Sequence, residues 1–340
     1  MLYFRNDYGA GAHPAVLEAL CQTNMDLTPG YGTDKYTRQA EETIRDLCGV
    51  PDAAVHFLMG GTQVNKTAIA AFLRPYEAVL AADSGHICVH EAGAVEQDGH
   101  AVLRLPAPDG KLTPELLRSA MAGPVNEHTV VPRLAYISNT TELGTVYTRP
   151  ELLALRRCCD ELGLYLYCDG ARLGSAMDAG GTGFADYGAC CHAFTIGGTK
   201  NGLLLGEALV ISEPALRPGF RNCMKQQGAM LAKGRLLGVQ FEAVLRDGLY
   251  LSLAAHANAQ AKRLAAGLER LGIPLLALAE SNQVFPILPD GAVEALGRNV
   301  EFEVERGMDG GRTCIRFVTA WHTPPEDVDA LLALMEDLLK

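Results

Sequence analysis

From residue 54 onward the chain alternates short apolar runs with longer amphipathic ones. AVHFL, AVLAA, HAVLRL, RLAYIS, LYLYC, AFTI and EALVI read as strands. Between several of them, TQVNKTAIAAFL, TPELLRSAMA and the stretch RPELLALRRCCDELG over 149–163 place apolar residues at helical spacing. Near-continuous apolar strands separated by helices predict an α/β fold: a mostly parallel central sheet covered by helices on both faces.

The two ends of the chain follow other patterns. Residues 1–50 read as an arm, then the polar, glycine-bearing loop TPGYGTDKYT over 28–37, then a helix that closes at Gly49. After Gly228 come two long helical stretches, AMLAKGRLLGVQFEAVLRDG and LYLSLAAHANAQAKRLAAGLERLG. QVFPIL, VEFEVER and CIRFVTA then read as strands, with a short helix near 290–297 and a final helix PPEDVDALLALMEDLL. The expected organisation is an N-terminal arm and helix over 1–50, a large α/β domain over 51–245, and a small C-terminal α+β domain over 246–340.

Composition narrows the partners. With 340 residues, 48% of them hydrophobic and 20% charged, the chain can bury a sizeable core. A net charge of −11 argues against nucleic acid or an anionic membrane surface as partner. The ten cysteines include no C-x-x-C pair, so neither a zinc knuckle nor a redox dithiol is expected, and no metal site is assigned. Several lie in apolar runs and read as small buried hydrophobes, in keeping with a reducing cytoplasm. Arg5 and Asp7 stand where a signal peptide would need an apolar stretch, and no run approaches the length of a membrane span.

Four groups with chemistry fall at strand ends, where open parallel sheets bind their ligands. Gly60, Gly61 and Thr62 in FLMGGTQVN lead from a strand into a helix. The free N–H groups there suit a phosphate, and ordinary helix capping is the alternative; the spacing is not that of a Walker loop. His86 follows AVLAAD, either as a flat ring for a planar cofactor or as a hydrogen-bonded loop histidine. Asp169 ends the apolar run LYLYCD and needs a partner: Arg172 in a structural salt bridge, or a pyridinium. Lys200 sits in the glycine-flanked turn of AFTIGGTKNG. Taken together, Lys200, Asp169 and the Gly-Gly-Thr turn point to pyridoxal 5'-phosphate. The lysine amine would form a Schiff base with the aldehyde, and the carboxylate would keep the ring nitrogen protonated, making the ring an electron sink. Arg316, on the apolar strand CIRFVTAW, needs an anion, either a nearby glutamate or a substrate α-carboxylate.

Several motifs now join in order: FRNDYGAGAHP, GYGTDKYT, FLMGGTQVN, the stretch 86–93, ISNTTELGTVY, DGAR at 169–172, the Thr199-Lys200 pair and IRFVT at 315–319. On these, over essentially its whole length, the chain resembles the low-specificity threonine aldolases, fold-type I pyridoxal-phosphate enzymes of the β-eliminating lyase/threonine aldolase family. The resemblance implies cleavage of L-threonine, L-allo-threonine and related β-hydroxy-α-amino acids to glycine and an aldehyde. It implies that Lys200 carries the cofactor, Asp169 holds the ring nitrogen, His86 stacks on the ring, and Gly60, Gly61 and Thr62 bind the phosphate. Asn6, Arg172 and Arg316 would hold the substrate carboxylate. Tyr31 and Lys225 would lie near the site, in one reading that of a neighbouring subunit, and a homodimer or homotetramer with shared sites is implied. Two departures stand out. Thr141 occupies a position that often carries a second active-site histidine, and His90 one that is often aromatic. His90 is therefore expected to contact the substrate's β-hydroxyl, and His90, His86 or an ordered water are the candidate bases. The competing expectations are a β-eliminating lyase or aminotransferase on the same fold, and a non-catalytic pyridoxal-phosphate-binding homologue. The absence of G-x-G-x-x-G argues against a Rossmann-type nucleotide enzyme.

Overall fold

A computed structural model describes residues 1–123 and 126–338. Its central sheet contains seven strands. They are β1 (Ala54–Leu58), β2 (Glu77–Ala82), β3 (Ala101–Leu105), β4 (Val131–Ser138), β5 (Tyr165–Asp169), β6 (Ala193–Gly197) and β7 (Glu207–Ile211). Their spatial order is β1-β7-β6-β5-β4-β2-β3. Strands β2 to β6 run parallel, whereas β7 is antiparallel to both β6 and β1. The exception follows from the connection: only residues 198–206 join β6 to β7, too few for a crossover helix, so the chain turns back as a hairpin.

The apolar runs are continuous because both faces of the sheet are buried. Leu166 and Cys168 of β5 enter one core with Ile137 and Phe194, while Tyr167 between them enters the other with Tyr136 and Leu209. Helices cover each face and take their ends from local chemistry. Arg149–Leu162 starts at a capping box formed by Thr148 and Glu151 and ends at Gly163 in the left-handed region. Lys35–Cys48 is capped by Asp34, so it opens inside the 28–37 stretch expected to be a loop, and it closes at Gly49 as its sequence predicts.

In the C-terminal part, Arg312–Val318 pairs antiparallel with Gln283–Val284, Ile287–Pro289 and Glu303–Met308. The run QVFPIL is split because Pro286 has no N–H to donate to a ladder. The helix expected from Ala229 begins only at Arg235. Gly234 before it lies so close to the 30–34 loop that a Cβ there would sit 2.8 Å from the Gly32 nitrogen. A third core gathers Leu264, Val284, Ile315, Phe317 and Leu331, and Phe4 of the N-terminal arm belongs to it. Leu2–Tyr3 also pairs parallel with Val300–Glu301. The arm is thereby fixed, and Asp7 is carried toward the carboxyl ends of the central strands.

Candidate active site

Strand order reverses between β2 and β4, and this is where a doubly wound sheet leaves a crevice. A cavity of about 230 Å³ opens there, and Gly60, Gly61, Thr62, His86, Asp169, Arg172 and Lys200 all line it. Surface grooves of about 490 and 450 Å³ elsewhere carry none of these residues.

Asp169 ends β5 and is 5% exposed. Its Oδ2 accepts hydrogen bonds from Asn65 Nδ2 and the Tyr136 hydroxyl, both at 2.7 Å, and Oδ1 accepts from the Ala171 amide at 2.9 Å. Burial works to raise the carboxyl pKa, but the His86 charge and these hydrogen bonds hold it below the ordinary carboxylate value. Three of roughly four acceptor positions are filled, which leaves one for a donor in the cavity. Arg172 is not that donor. Its Nε and Nη2 grip Asp7 at 2.7 and 3.1 Å, with both side chains buried. Asn282 donates to the same Asp7 oxygen that receives Arg172 Nε, at 2.9 Å.

His86 opens the helical turn after β2, and its Nδ1 lies 2.8 Å from Oε1 of the fully buried Glu91 side chain. Burial alone would lower the imidazole pKa, yet the Glu91 hydrogen bond and the charges of Glu142, Asp169 and Glu91 raise it. Asn65 donates to both Glu91 and Asp169, and accepts from the Tyr167 hydroxyl at 2.9 Å. One hydrogen-bonded set thus fixes the carboxylate and the flat ring together.

Lys200 stands in the β6–β7 hairpin and makes no hydrogen bond or ion pair with any described residue. Burial and the Arg172 charge push its amine pKa down, against Asp7, Glu142 and Asp169. A depressed pKa increases the neutral, nucleophilic fraction. Glu207 faces the same cavity from the start of β7, and its Oε2 accepts from the Gly198 amide at 3.2 Å. Burial pushes its carboxyl up to about 8.

The helix Gly61–Phe72 begins with no side-chain cap. No atom lies within 4 Å of where a Cβ would project from Gly60 or Gly61, so open space stands before the free backbone donors. Uncapped N–H groups at a twelve-residue helix suit a phosphate. A phosphate cradle, an accepting carboxylate and a depressed lysine line one cavity, and together they fit pyridoxal phosphate.

Other sequence-predicted residues lie outside this cavity. Thr141 turns its Oγ1 to the Thr145 hydroxyl at 2.7 Å and lines a small neighbouring cavity. His90 is exposed, its ring centroid 5.5 Å from that of His86. The Asn6 amide donates to the Tyr3 hydroxyl at 2.8 Å, and Asn6 Oδ1 accepts from the Tyr8 amide at 3.1 Å. Arg316 Nε lies 3.2 Å from Glu305 Oε1 but is misaligned for a hydrogen bond, which leaves that nitrogen buried without a hydrogen-bond partner. Tyr31 is half exposed in a separate pocket, with the Lys225 Nζ 4.6 Å from its ring centroid. Asp7, Asn65, Glu91, Glu142 and Glu207 escaped the sequence reading. Only Glu207, a charge opening an apolar strand, carried a local signal.

The model of the β-eliminating lyase family matches residues 4–290. The solved threonine aldolase of Leishmania major shares 42% identity and a TM-score of 0.98, with both chains fully covered. The low specificity L-threonine aldolase of Pseudomonas aeruginosa is 33% identical over 98% of this chain and 96% of its own length. That of a Pseudomonas sp. strain is 32% identical over 97% and 96%. On this match and these full-length likenesses, the chain belongs to the β-eliminating lyase/threonine aldolase family of fold-type I, pyridoxal-phosphate-dependent enzymes.

Proposed function

We propose that this enzyme cleaves L-threonine, L-allo-threonine and related β-hydroxy-α-amino acids to glycine and an aldehyde. The observation that carries the reading is the cavity that joins Lys200, Asp169 and the open Gly60–Gly61 turn, in a chain matching threonine aldolases end to end. Bound there, pyridoxal phosphate supplies an aldehyde that condenses with amines and a ring that takes up the electron pair of a breaking Cα–Cβ bond. The residues supply the rest. Lys200 would hold the cofactor through its amine. Asp169 would accept a hydrogen bond from the ring nitrogen. His86, fixed by Glu91, would pack against the ring, and the backbone N–H groups from Gly60 to Thr62 would hold the phosphate.

Arg172, which lines the cavity and is held by Asp7, would bind the substrate carboxylate; Arg316 and Asn6 stand outside that lining and would have to leave Glu305 and Tyr3 to join it. Holding the carboxylate would orient the substrate for breakage of its Cα–Cβ bond. The reading also places the enzyme in the cytoplasm as a homodimer or homotetramer, with the arm, the large domain and the small domain divided near residues 50 and 245. No described helix is long and apolar enough to cross a membrane. Tyr31 and Lys225 cluster away from the cavity, beside a loop that exposes Met25 at 86% and Leu27 fully, which suits service to a neighbouring subunit's site.

The test is a product assay on L-threonine, L-allo-threonine, their D-forms and phenylserine, with Lys200→Ala as control. Equal amounts of glycine and aldehyde from the L-substrates, absent in the variant, are expected. Ammonia and a keto acid would overturn the reading in favour of β-elimination.

A further inference from the structure

Cleavage needs a group that removes the β-hydroxyl proton, and the histidines are poorly placed for it. His90 is exposed and does not line the cavity. His86 is tied through Nδ1 to Glu91, and the proposed function sets its ring against the cofactor. Thr141, where a histidine often stands in the family, points to Thr145.

The next residue does face the cavity. Glu142 lines it with Lys200, Arg172 and His86. Its carboxylate makes no hydrogen bond or ion pair with any described residue. Even so, its charge acts on His86, Arg172 and Lys200, groups from three separate segments that converge on this cavity. The turn that presents it is pinned at Thr141. The Thr141 amide donates to Thr145 O at 2.9 Å, the Gly144 amide to Thr141 O at 3.0 Å, and the Leu143 amide to Thr141 Oγ1 at 3.3 Å. Gln283 adds a bond to Thr141 O at 3.3 Å. Gly144, at φ 77°, completes the turn in a conformation that favours glycine.

We propose that Glu142 is the general base for the β-hydroxyl of the substrate, and that Thr141 is the positioning residue that aims it. The inference rests on the aldol cleavage proposed above. In the step, the O–H bond breaks to the Glu142 carboxylate, and the oxygen's electron pair forms the aldehyde C=O. The Cα–Cβ pair leaves into the cofactor ring. Cα later takes up one proton to become glycine, so no proton is gained or lost overall.

The discriminating experiment compares two reactions of the holoenzyme. Threonine cleavage needs the β-hydroxyl base, whereas exchange of the glycine α-proton with deuterated solvent does not. Glu142→Gln is expected to lower threonine turnover on the order of 10²- to 10⁴-fold. Glycine exchange and the visible cofactor spectrum should stay within about twofold of wild type. Turnover within about tenfold of wild type, or exchange falling in parallel, overturns the assignment. Should the variant fail to fold, the wild-type pH profiles decide. Asp169, Glu207, Lys200, Arg172 and His86 share the cavity and affect both reactions, so an acid limb that belongs to the β-hydroxyl base appears in cleavage alone. Identical acid limbs overturn the proposal. A wild-type enzyme inert to L-threonine sinks the aldolase reading itself; cleavage by wild type with either contrary result sinks only the role of Glu142.

Discussion

Glu91 illustrates how much of the site depends on single buried atoms. Its Oε1 receives both Asn65 and His86, while Oε2 is buried with no partner. A carboxylate in that setting needs a compensating partner, and the His86 imidazole, whose pKa it helps to raise, is the group it touches. Glu91→Gln is therefore expected to free the imidazole to lose its proton and tilt. Cofactor affinity should fall on the order of tenfold, about 1.4 kcal/mol, in a titration of the apoenzyme with pyridoxal phosphate. An unchanged dissociation constant would contradict this role. Asp169 and Lys200 were legible in the sequence because each interrupts an apolar or glycine-rich context at a strand end. Asn65, Glu91 and Glu142 were not, because their significance comes from partners far along the chain: Asn65 meets Asp169 across 104 residues. The same limit applies to Arg172. Sequence left it as one of two candidate partners for Asp169 and, by the resemblance, as a holder of the substrate carboxylate; only the folded arm reveals Asp7 as its ion-pair partner.

At the scale of elements, the spacing of β5 and β6 sets the distance between the carboxylate and the lysine. The glycines after Asp169 and before Lys200 let the two segments close up. A Cβ on Gly170 would sit 2.0 Å from Thr195 O, and one on Gly197 2.3 Å from Ala171 O. Gly170→Ala should therefore cost about 1–3 kcal/mol in urea unfolding, with cofactor binding weakened as well; an unchanged midpoint would show that the strands can part freely. The β6–β7 hairpin carries a second prediction. Glu207 titrates near 8 in the fold against an ordinary 4.5, so the native state keeps a proton that the unfolded chain releases. Apoenzyme stability from this group should fall as pH rises from 4.5 to about 8. Glu207→Gln should flatten that slope in thermal unfolding, and a slope equal to wild type would contradict it. The strands themselves were legible because two buried faces make apolar runs. The direction of β7 was not, since a strand sequence reads alike both ways and the short hairpin decides.

For the whole molecule, the N-terminal arm links distant parts. Phe4 enters the C-terminal core while Asp7, three residues on, anchors Arg172 in the cavity. Motions of the C-terminal part would then reach the substrate grip through Asp7. The proposed shared sites lead to a complementation prediction. In a mixture of Lys200→Ala and Lys225→Ala subunits, a hybrid dimer would hold one site with neither change, so activity should recover to roughly a quarter of wild type. No recovery after subunit exchange would contradict shared sites. Under the proposed function, this cavity breaks the Cα–Cβ bond of a β-hydroxy amino acid. This is tested most directly by following L-threonine isotopically labelled at both Cα and Cβ by NMR in the presence of the holoenzyme. The coupling between the two labels is expected to disappear, with one label in glycine and the other in acetaldehyde. Labels that remain bonded to each other in a keto acid, or in untouched threonine beside a fully loaded enzyme, would contradict it.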